Sequence, residues 1–337
     1  MYNYKDIRHV HLEISTRCNA TCPLCPRNMF GVEIIDDYPI HDMTLLETQQ
    51  IFAPNFLKQL TGITINGNLG DFVTARDGLE IVQYFKEVNP KIEIYISTNG
   101  SAKPKIWSEL GKLGIVVGFD IDGLQDTHAL YRQYTDWNMI INNAKNFISA
   151  GGLATWRMIK FDHNQHQIEA CEQLSKELGF DRFELLDCGR DTGPVFNRQG
   201  KLTHFIGDPT KNYTTFNFED LKTGEFNRRN KVNENPLKFY STLPVPDEIN
   251  CQAKKTKSMF ITATGLAYPC CDTGFYPGQA CHDGNEQISK LQQENNIFEY
   301  GIEQAVAWFN KFEDRWKEPD YESGSLYICN NTCGVNR

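Results

Sequence analysis

The sequence predicts an α/β fold: six strand–helix units forming a parallel sheet, then a smaller α+β unit. Three observations carry this. Apolar runs of strand length alternate with amphipathic helical stretches from Ile7 to Asp187. The alternation fades between Gly189 and Asn250. A hairpin signal then appears beyond Cys251. Strands that alternate with helices pair in parallel through right-handed crossovers, and such sheets bind ligands at the carboxyl ends of their strands.

The first strand is Ile7 to Ile14, with Val10, Leu12 and Ile14 on one face and His9, His11 and Glu13 on the other. It runs into Cys18-Asn-Ala-Thr-Cys22-Pro-Leu-Cys25-Pro-Arg27. Met43 to Leu60 reads as a helix, with Leu46, Ile51, Phe52 and Phe56 as its apolar positions. Gly62 to Asn66 is the second strand and leads into Gly67-Asn-Leu-Gly70-Asp71. Helices at Leu79–Val88 and Lys105–Leu113 flank the third strand, Ile92–Ser97, and Ile115–Ile121 is the fourth. Trp137–Ala150 is a helix stopped by Gly151-Gly152. Ala154–Phe161, the helix Gln165–Leu178 and Arg182–Asp187 complete the series. Gly189–Asn250 is rich in Asn, Thr, Lys, Pro and Gly but holds Phe205, Tyr213, Phe216, Phe218 and Phe226. These aromatics mark an irregular bridge packed on the sheet rather than a free linker. Ser258–Thr262 and Leu266–Tyr268 flank Ala263-Thr-Gly265 as a hairpin. Tyr300–Trp316 is a helix, and the chain closes on Cys329-Asn-Asn-Thr-Cys333. The expected division is therefore 1–190, a bridge over 191–250, and 251–337.

The 337 residues suffice for two domains; 40% are hydrophobic and 23% charged, as in soluble proteins. A net charge of −9 argues against a general nucleic-acid surface. No apolar run approaches the roughly 20 residues that span a bilayer, and the N-terminus lacks a signal peptide's apolar core. A cytoplasmic, membrane-free protein is expected. Eleven cysteines in a reducing compartment fit metal ligation better than disulfides.

Cys18, Cys22 and Cys25 are spaced C-x3-C-x2-C, a pattern of metal ligands that is one short of a closed tetrahedral site. A 4Fe–4S cluster on three thiolates keeps one iron open. A zinc ion completed by a distant His or Cys is the rival reading. The triad and the motifs behind it resemble those of the radical S-adenosylmethionine (SAM) superfamily, over roughly the first 190 residues. The resemblance implies a partial (β/α)6 TIM-like barrel and SAM chelated to the open iron. Asn66-Gly67-Asn68-Leu-Gly70-Asp71 stands where the family has Gly-Gly-Glu-Pro, whose glycines let the backbone approach the SAM amino group. Here Asn68 or Asp71 would make the polar contact. Ser97-Thr-Asn99-Gly100 resembles the Thr-Asn-Gly turn near the ribose. Asp120-Ile-Asp122-Gly123 resembles Ser-Ile-Asp-Gly, with Asp120 for Ser. Arg132 or Arg157 would pair with the methionyl carboxylate, and Leu24 replaces the usual aromatic residue against adenine. Taken singly, each of these motifs also reads as a structural turn or a solvated side chain.

Cys251-x13-Gly265-x4-Cys270, with Cys329 and Cys333, resembles the SPASM and Twitch auxiliary-cluster domains of some radical SAM enzymes. Four thiolates complete one 4Fe–4S cluster; a zinc ribbon on the same ligands is the alternative. The terminal spacing is C-x3-C rather than C-x2-C. Only six cysteines follow residue 250, which favours one auxiliary cluster over two. Cys271 is a core residue or an alternate ligand, and Cys281 falls in a loop. Cys171 shares an apolar helix face with Ile168, Leu174 and Leu178. Cys188, ending the sixth strand, is a structural thiol or one that returns a hydrogen atom to a substrate radical. His163 and His166 cap, pack or bind substrate, and His11 and Glu13 need partners if they point into the barrel.

The resemblance implies an enzyme that cleaves SAM reductively to a 5′-deoxyadenosyl radical and takes a hydrogen atom from a peptide or a small polar metabolite. Oxidation, with the auxiliary cluster carrying away an electron, is the expected outcome. A reductase, flavodoxin or ferredoxin would supply the reducing electron. Only 17 residues precede Cys18, too few for a fused leader-peptide-binding domain. The alternative function is a non-catalytic binding protein stabilised by zinc or iron–sulfur clusters.

Overall fold

A computed structural model describes residues 1–25, 27–34, 38–187, 193–207, 244–274, 285–291 and 294–335. Cys188 and Cys281 lie outside them.

Six strands follow the order read from the sequence: β1 (His9–Leu12), β2 (Gly62–Ile65), β3 (Glu93–Thr98), β4 (Val116–Asp120), β5 (Leu153–Lys160) and β6 (Arg182–Asp187). Each pairs in parallel with the next. Their apolar positions form one buried face: Val10, Leu12, Ile63, Ile65, Ile94, Ile96, Val117, Phe119, Trp156 and Met158. The helices Gly78–Val88, Trp137–Ser149 and Ile168–Glu177 pack Ile81, Val82, Phe85, Ile140, Phe147 and Cys171 into the same core. The other sheet face is polar, because side chains alternate along a strand. On it His11, Thr64 and Tyr95 stand in one row, and Asp120, Arg157 and Glu184 in another.

Two helices expected as single rods are broken. The stretch Met43–Leu60 forms α1 (Leu45–Ile51) and α2 (Pro54–Gln59). Pro54 lacks an N–H and keeps Ala53 out of the helical region, so the rod ends and restarts with Pro at its first turn. Thr44 and Glu47 close the front of α1 as a capping box. Near the end of the chain, Tyr300–Trp316 forms Ile302–Ala307 and Asn310–Arg315, while Tyr300 closes a preceding turn of helix, Ile297–Tyr300, that ends at Gly301 with φ +76°.

Two further features lie beyond the six-unit pattern. β7 (Gly193–Phe196) and β8 (Leu202–Ile206) form an antiparallel ribbon at the start of the stretch expected to be irregular. Asn197 organises its turn by accepting from the Gln199 and Lys201 amides, and Gly200 takes φ +73°. Secondly, the hairpin β9 (Ser258–Ile261) and β10 (Ala267–Tyr268) joins the main sheet. β9 pairs in parallel with β1, His9 opposite Ser258 through Leu12 opposite Ile261. The sheet therefore runs β10-β9-β1-β2-β3-β4-β5-β6. β1, which delivers the cysteine loop, is internal rather than an edge.

Candidate active site at the strand ends

The Cys18–Cys25 loop is held from within. Arg27, buried, donates from Nε to the Thr16 carbonyl at 3.3 Å and from Nη1 to the Cys18 carbonyl at 3.2 Å. Asn28 donates from Nδ2 to the Cys22 carbonyl at 3.3 Å, and the Cys25 amide to the same oxygen at 3.0 Å. With its carbonyls occupied this way, the loop has a fixed backbone. Cys18, Cys22, Leu24 and Cys25 share an apolar cluster with Tyr131, Phe161, Val195 and Ile206. The β7–β8 ribbon thus covers the loop. Burial pushes the Cys18 thiol well up, with further push from Asp71, Cys22 and Cys25. Such thiols ionise when a cation joins them, as iron would.

Two strand ends reach the loop. Asn99 donates from Nδ2 to Cys18 Sγ at 3.7 Å and to Asn19 Oδ1 at 2.9 Å. Asp71 accepts from Thr98 Oγ1 at 2.6 Å, the Asn99 amide at 2.8 Å and the Val73 amide at 3.0 Å. Burial raises the Asp71 carboxyl and these three bonds oppose the rise. Asp71 is therefore tied into the protein, a structural use that the motif alone did not reveal. Asn68 is similar: its Nδ2 donates to the carbonyls of Cys271 and Gly274, both at 2.9 Å. The glycines have packing reasons too. A Cβ on Gly70 would stand 1.7 Å from the Ser15 carbonyl oxygen, and one on Gly67 2.8 Å from Glu13 Oε1 and from the Gly70 oxygen. Glu13, fully buried, accepts from the Leu69 amide at 2.8 Å. His11 donates to the Asn66 carbonyl at 2.6 Å, and burial lowers its pKa. The partners expected for His11, on β1, and Glu13, just past its end, are thus supplied by the loop after β2.

A charged network follows along the polar face. Arg157 donates to Ser97 Oγ at 2.5 Å and Asp120 Oδ1 at 2.9 Å, and pairs with Glu184 at 3.2 Å. Arg132 pairs with Asp122 at 2.6 Å and with Asp120 at 3.5 Å. Burial works against the Arg132 charge, but Asp122 and Asp120 outweigh it, so the guanidinium stays charged. His128, which opens the His128-Ala-Leu-Tyr-Arg132 stretch and had no role of its own in the sequence reading, holds the backbone of Asp122. The Asp122 amide donates to His128 Nδ1 at 3.0 Å, and His128 Nε2 meets Thr135 Oγ1 at 3.0 Å. Burial, with Arg132 adding to it, lowers the His128 pKa to about 3. Ser97, Asp120, Arg132 and Arg157 thus form one network, and Asn99 and Asp71 another that touches the thiol loop. Arg27 was also missed; its signal was a single cation directly after the Cys-Pro pair.

His163 stacks on Phe161 (centroids 5.2 Å, planes 14°), and neither ring nitrogen has a hydrogen-bond partner among the described residues. His166 is exposed. Cys171 is fully buried in the core.

The second thiol set converges as well. Cys251, Cys270, Cys329 and Cys333 line one cavity, together with Asp272, Phe312 and Trp316. Cys271 does not line it and packs on the main core. Burial pushes Cys270 well up and Cys329 up to about 12. All four are cysteines on one shared cavity, a donor set of the kind that iron or zinc takes.

No protein-family model matches the chain. A stretch of 113 residues is 26% identical to the FeMo cofactor biosynthesis protein NifB of Methanocaldococcus jannaschii, covering 32% of this chain and 37% of that protein. NifB of Methanocaldococcus infernus is 26% identical over 110 residues, 32% of this chain and 36% of the relative. The match thus spans little over a third of these curated relatives. Among solved structures, Streptococcus suis SuiB aligns with a TM-score of 0.53 at 15% identity, over 96% of this chain and 77% of SuiB. Native anSMEcpe with bound AdoMet aligns at 0.52 and 17% identity, over 97% and 93%. The chain has the fold of these two solved structures. The α/β fold with a TIM-like parallel sheet expected from the sequence is the one found.

Proposed function

We propose that the chain is a radical SAM enzyme with two iron–sulfur sites. Cys18, Cys22 and Cys25 would hold a 4Fe–4S cluster with one open iron. Cys251, Cys270, Cys329 and Cys333 would hold a second, in a SPASM/Twitch-like unit over 251–337, joined to the 1–190 barrel by 191–250. The observation that carries the reading is the Asn99 bond to Cys18: a three-thiol loop is anchored to the carboxyl end of a parallel strand, where such sheets bind ligands. When bound, the first cluster supplies one electron that cleaves SAM to methionine and a 5′-deoxyadenosyl radical.

The chain's own groups then have separate tasks. Arg132, kept charged by Asp122 and Asp120, offers the methionyl carboxylate a cation without a proton to lose. Leu24, beside the thiols, gives adenine an apolar surface. Asn99 and Ser97 stand at the end of β3 for the ribose. Gly67, Asn68, Gly70 and Asp71 act on SAM through backbone shape, because their side chains or space are already committed. The Arg157–Glu184 pair, nearer solvent, is left for substrate polar groups. Cys188 is kept as a hydrogen-atom donor in this proposal.

The substrate class is a peptide or a small polar metabolite, and the outcome an oxidation or related modification. SuiB bound to its precursor peptide SuiA has the same fold at a TM-score of 0.53, which supports the peptide alternative. A flavodoxin, ferredoxin or reductase would donate the electron, in a cytoplasmic setting. No helix among the described residues is long and apolar enough to cross a membrane. Anaerobic reconstitution with iron and sulfide, then dithionite and SAM, tests the reading. 5′-Deoxyadenosine should form, and Cys22→Ala should abolish it. Cys329→Ala should lose only the second cluster. An intact reduced first cluster that forms no 5′-deoxyadenosine would leave a non-catalytic metal-stabilised binder.

A further inference from the structure

The cavity ringed by Cys251, Cys270, Cys329 and Cys333 holds one polar group that the ligand set does not use. Trp316 lines it, and its buried indole Nε1 has no acceptor in hydrogen-bond geometry among the described residues. A buried N–H without an acceptor is costly, so such groups point to something that accepts from them. Cys329 and the other three thiols line the same cavity as Trp316. Cys251 caps the start of the Gln252–Thr256 helix without a side-chain hydrogen bond. The Thr273 hydroxyl lies 3.7 Å from Cys270 Sγ, but its hydrogen is committed to the Cys270 carbonyl at 2.9 Å.

We propose that Trp316 donates its indole N–H to a sulfur of the auxiliary cluster and thereby raises that cluster's reduction potential. This rests on the auxiliary-cluster reading above. Reduction adds one negative charge to the cluster, and a fixed donor at a sulfur stabilises the reduced form more than the oxidised one. Trp316 is thus a positioning and tuning residue, not a ligand. It sets how readily the second cluster accepts an electron.

The test uses the full chain reconstituted anaerobically, with iron and sulfide counted first. About eight irons per chain are expected, four for each cluster. An EPR-monitored redox titration then assigns to the auxiliary cluster the wave that Cys329→Ala lacks. Trp316→Phe should move that wave to a more negative potential and leave the first wave in place. A second measurement does not depend on the variant's folding. Wild-type protein carrying 15N-indole tryptophan should show a 15N coupling on the reduced auxiliary signal. Trp316 is the sole tryptophan among the described residues lining the cavity. About four irons in the wild type, with no auxiliary wave, would remove the auxiliary cluster and this inference together. Two full clusters with an unmoved wave in Trp316→Phe, or no 15N coupling, would overturn the role of Trp316 alone.

Discussion

Replacing Gly70 with Ala separates two explanations for the glycines after β2. If Gly70 exists to let SAM approach the backbone, an added methyl weakens SAM binding and leaves the fold alone. The packing says otherwise. The new Cβ would lie 1.7 Å from the Ser15 oxygen, 2.4 Å from its carbon and 3.0 Å from the Arg17 oxygen. Restoring a 3.0 Å contact means a retreat of 3.0 − 1.7 = 1.3 Å between the β2 loop and the segment entering the cysteine loop. The contacts nearest Gly70 across that gap are Leu69 amide to Glu13 at 2.8 Å, Asp71 amide to the Arg17 carbonyl at 2.8 Å, and Gly70 amide to Glu13 at 3.4 Å. At about 1 kcal/mol for a neutral bond and 1.5–3 for one to a carboxylate, losing the two shorter ones costs roughly 3 kcal/mol. That is a large share of the typical 5–15 kcal/mol of a folded domain. Urea unfolding of the anaerobically purified variant should show this loss, with iron missing from the Cys18 site and retained at the second. A variant within about 0.5 kcal/mol of wild type, with both clusters and only a raised KM for SAM, would refute the steric argument.

Three other outcomes follow from single contacts. His128 has a folded pKa of about 3, below the ordinary 6.5. The unfolded chain therefore takes up a proton that the fold excludes, and this contribution to stability, complete above pH 6.5, falls away as pH drops from 6.5 toward 3. Between pH 7 and pH 5 it amounts to about 2 kcal/mol, so His128→Gln should flatten the pH dependence of urea unfolding by that much. Asp71→Asn would set an amide N–H₂ against one of the three donors it now accepts from; a loss of roughly 2–4 kcal/mol is expected, with weaker iron retention at Cys18. Asn68→Ala removes both bonds to the Cys270 turn, and the thermal midpoint of the reconstituted protein should drop by the equivalent of roughly 1–2 kcal/mol, an unchanged midpoint counting against the tether.

The six strands were readable because each is a short apolar run between helical stretches, a pattern set by residues close in sequence. The cysteine positions were readable because spacing itself is the signal. What escaped were pairings between distant segments. Nothing near Ser258 announces β1 as its neighbour, so the hairpin read as part of a separate unit. The β7–β8 ribbon had a local signal, Asn197 to Gly200, hidden in a polar stretch. Pro54 was a visible break that the apolar spacing of Leu46 to Phe56 overrode. Asn68 and Asp71 show the opposite problem: their motif position was noticed, but only coordinates reveal that their side chains are already bonded elsewhere.

The pairing of β1 with Ser258–Ile261 also bears on how the chain is made and cut. Register partners 258 − 9 = 249 residues apart mean that β1 has one open side until most of the chain has left the ribosome. Any truncation that stops after the sixth strand leaves that side as a bare edge, with unpaired amides and carbonyls next to three thiols. Such edges recruit strands from other copies. An isolated 1–207 fragment should therefore self-associate, whatever becomes of its cluster, and the last eighty residues serve as the guard of the first strand.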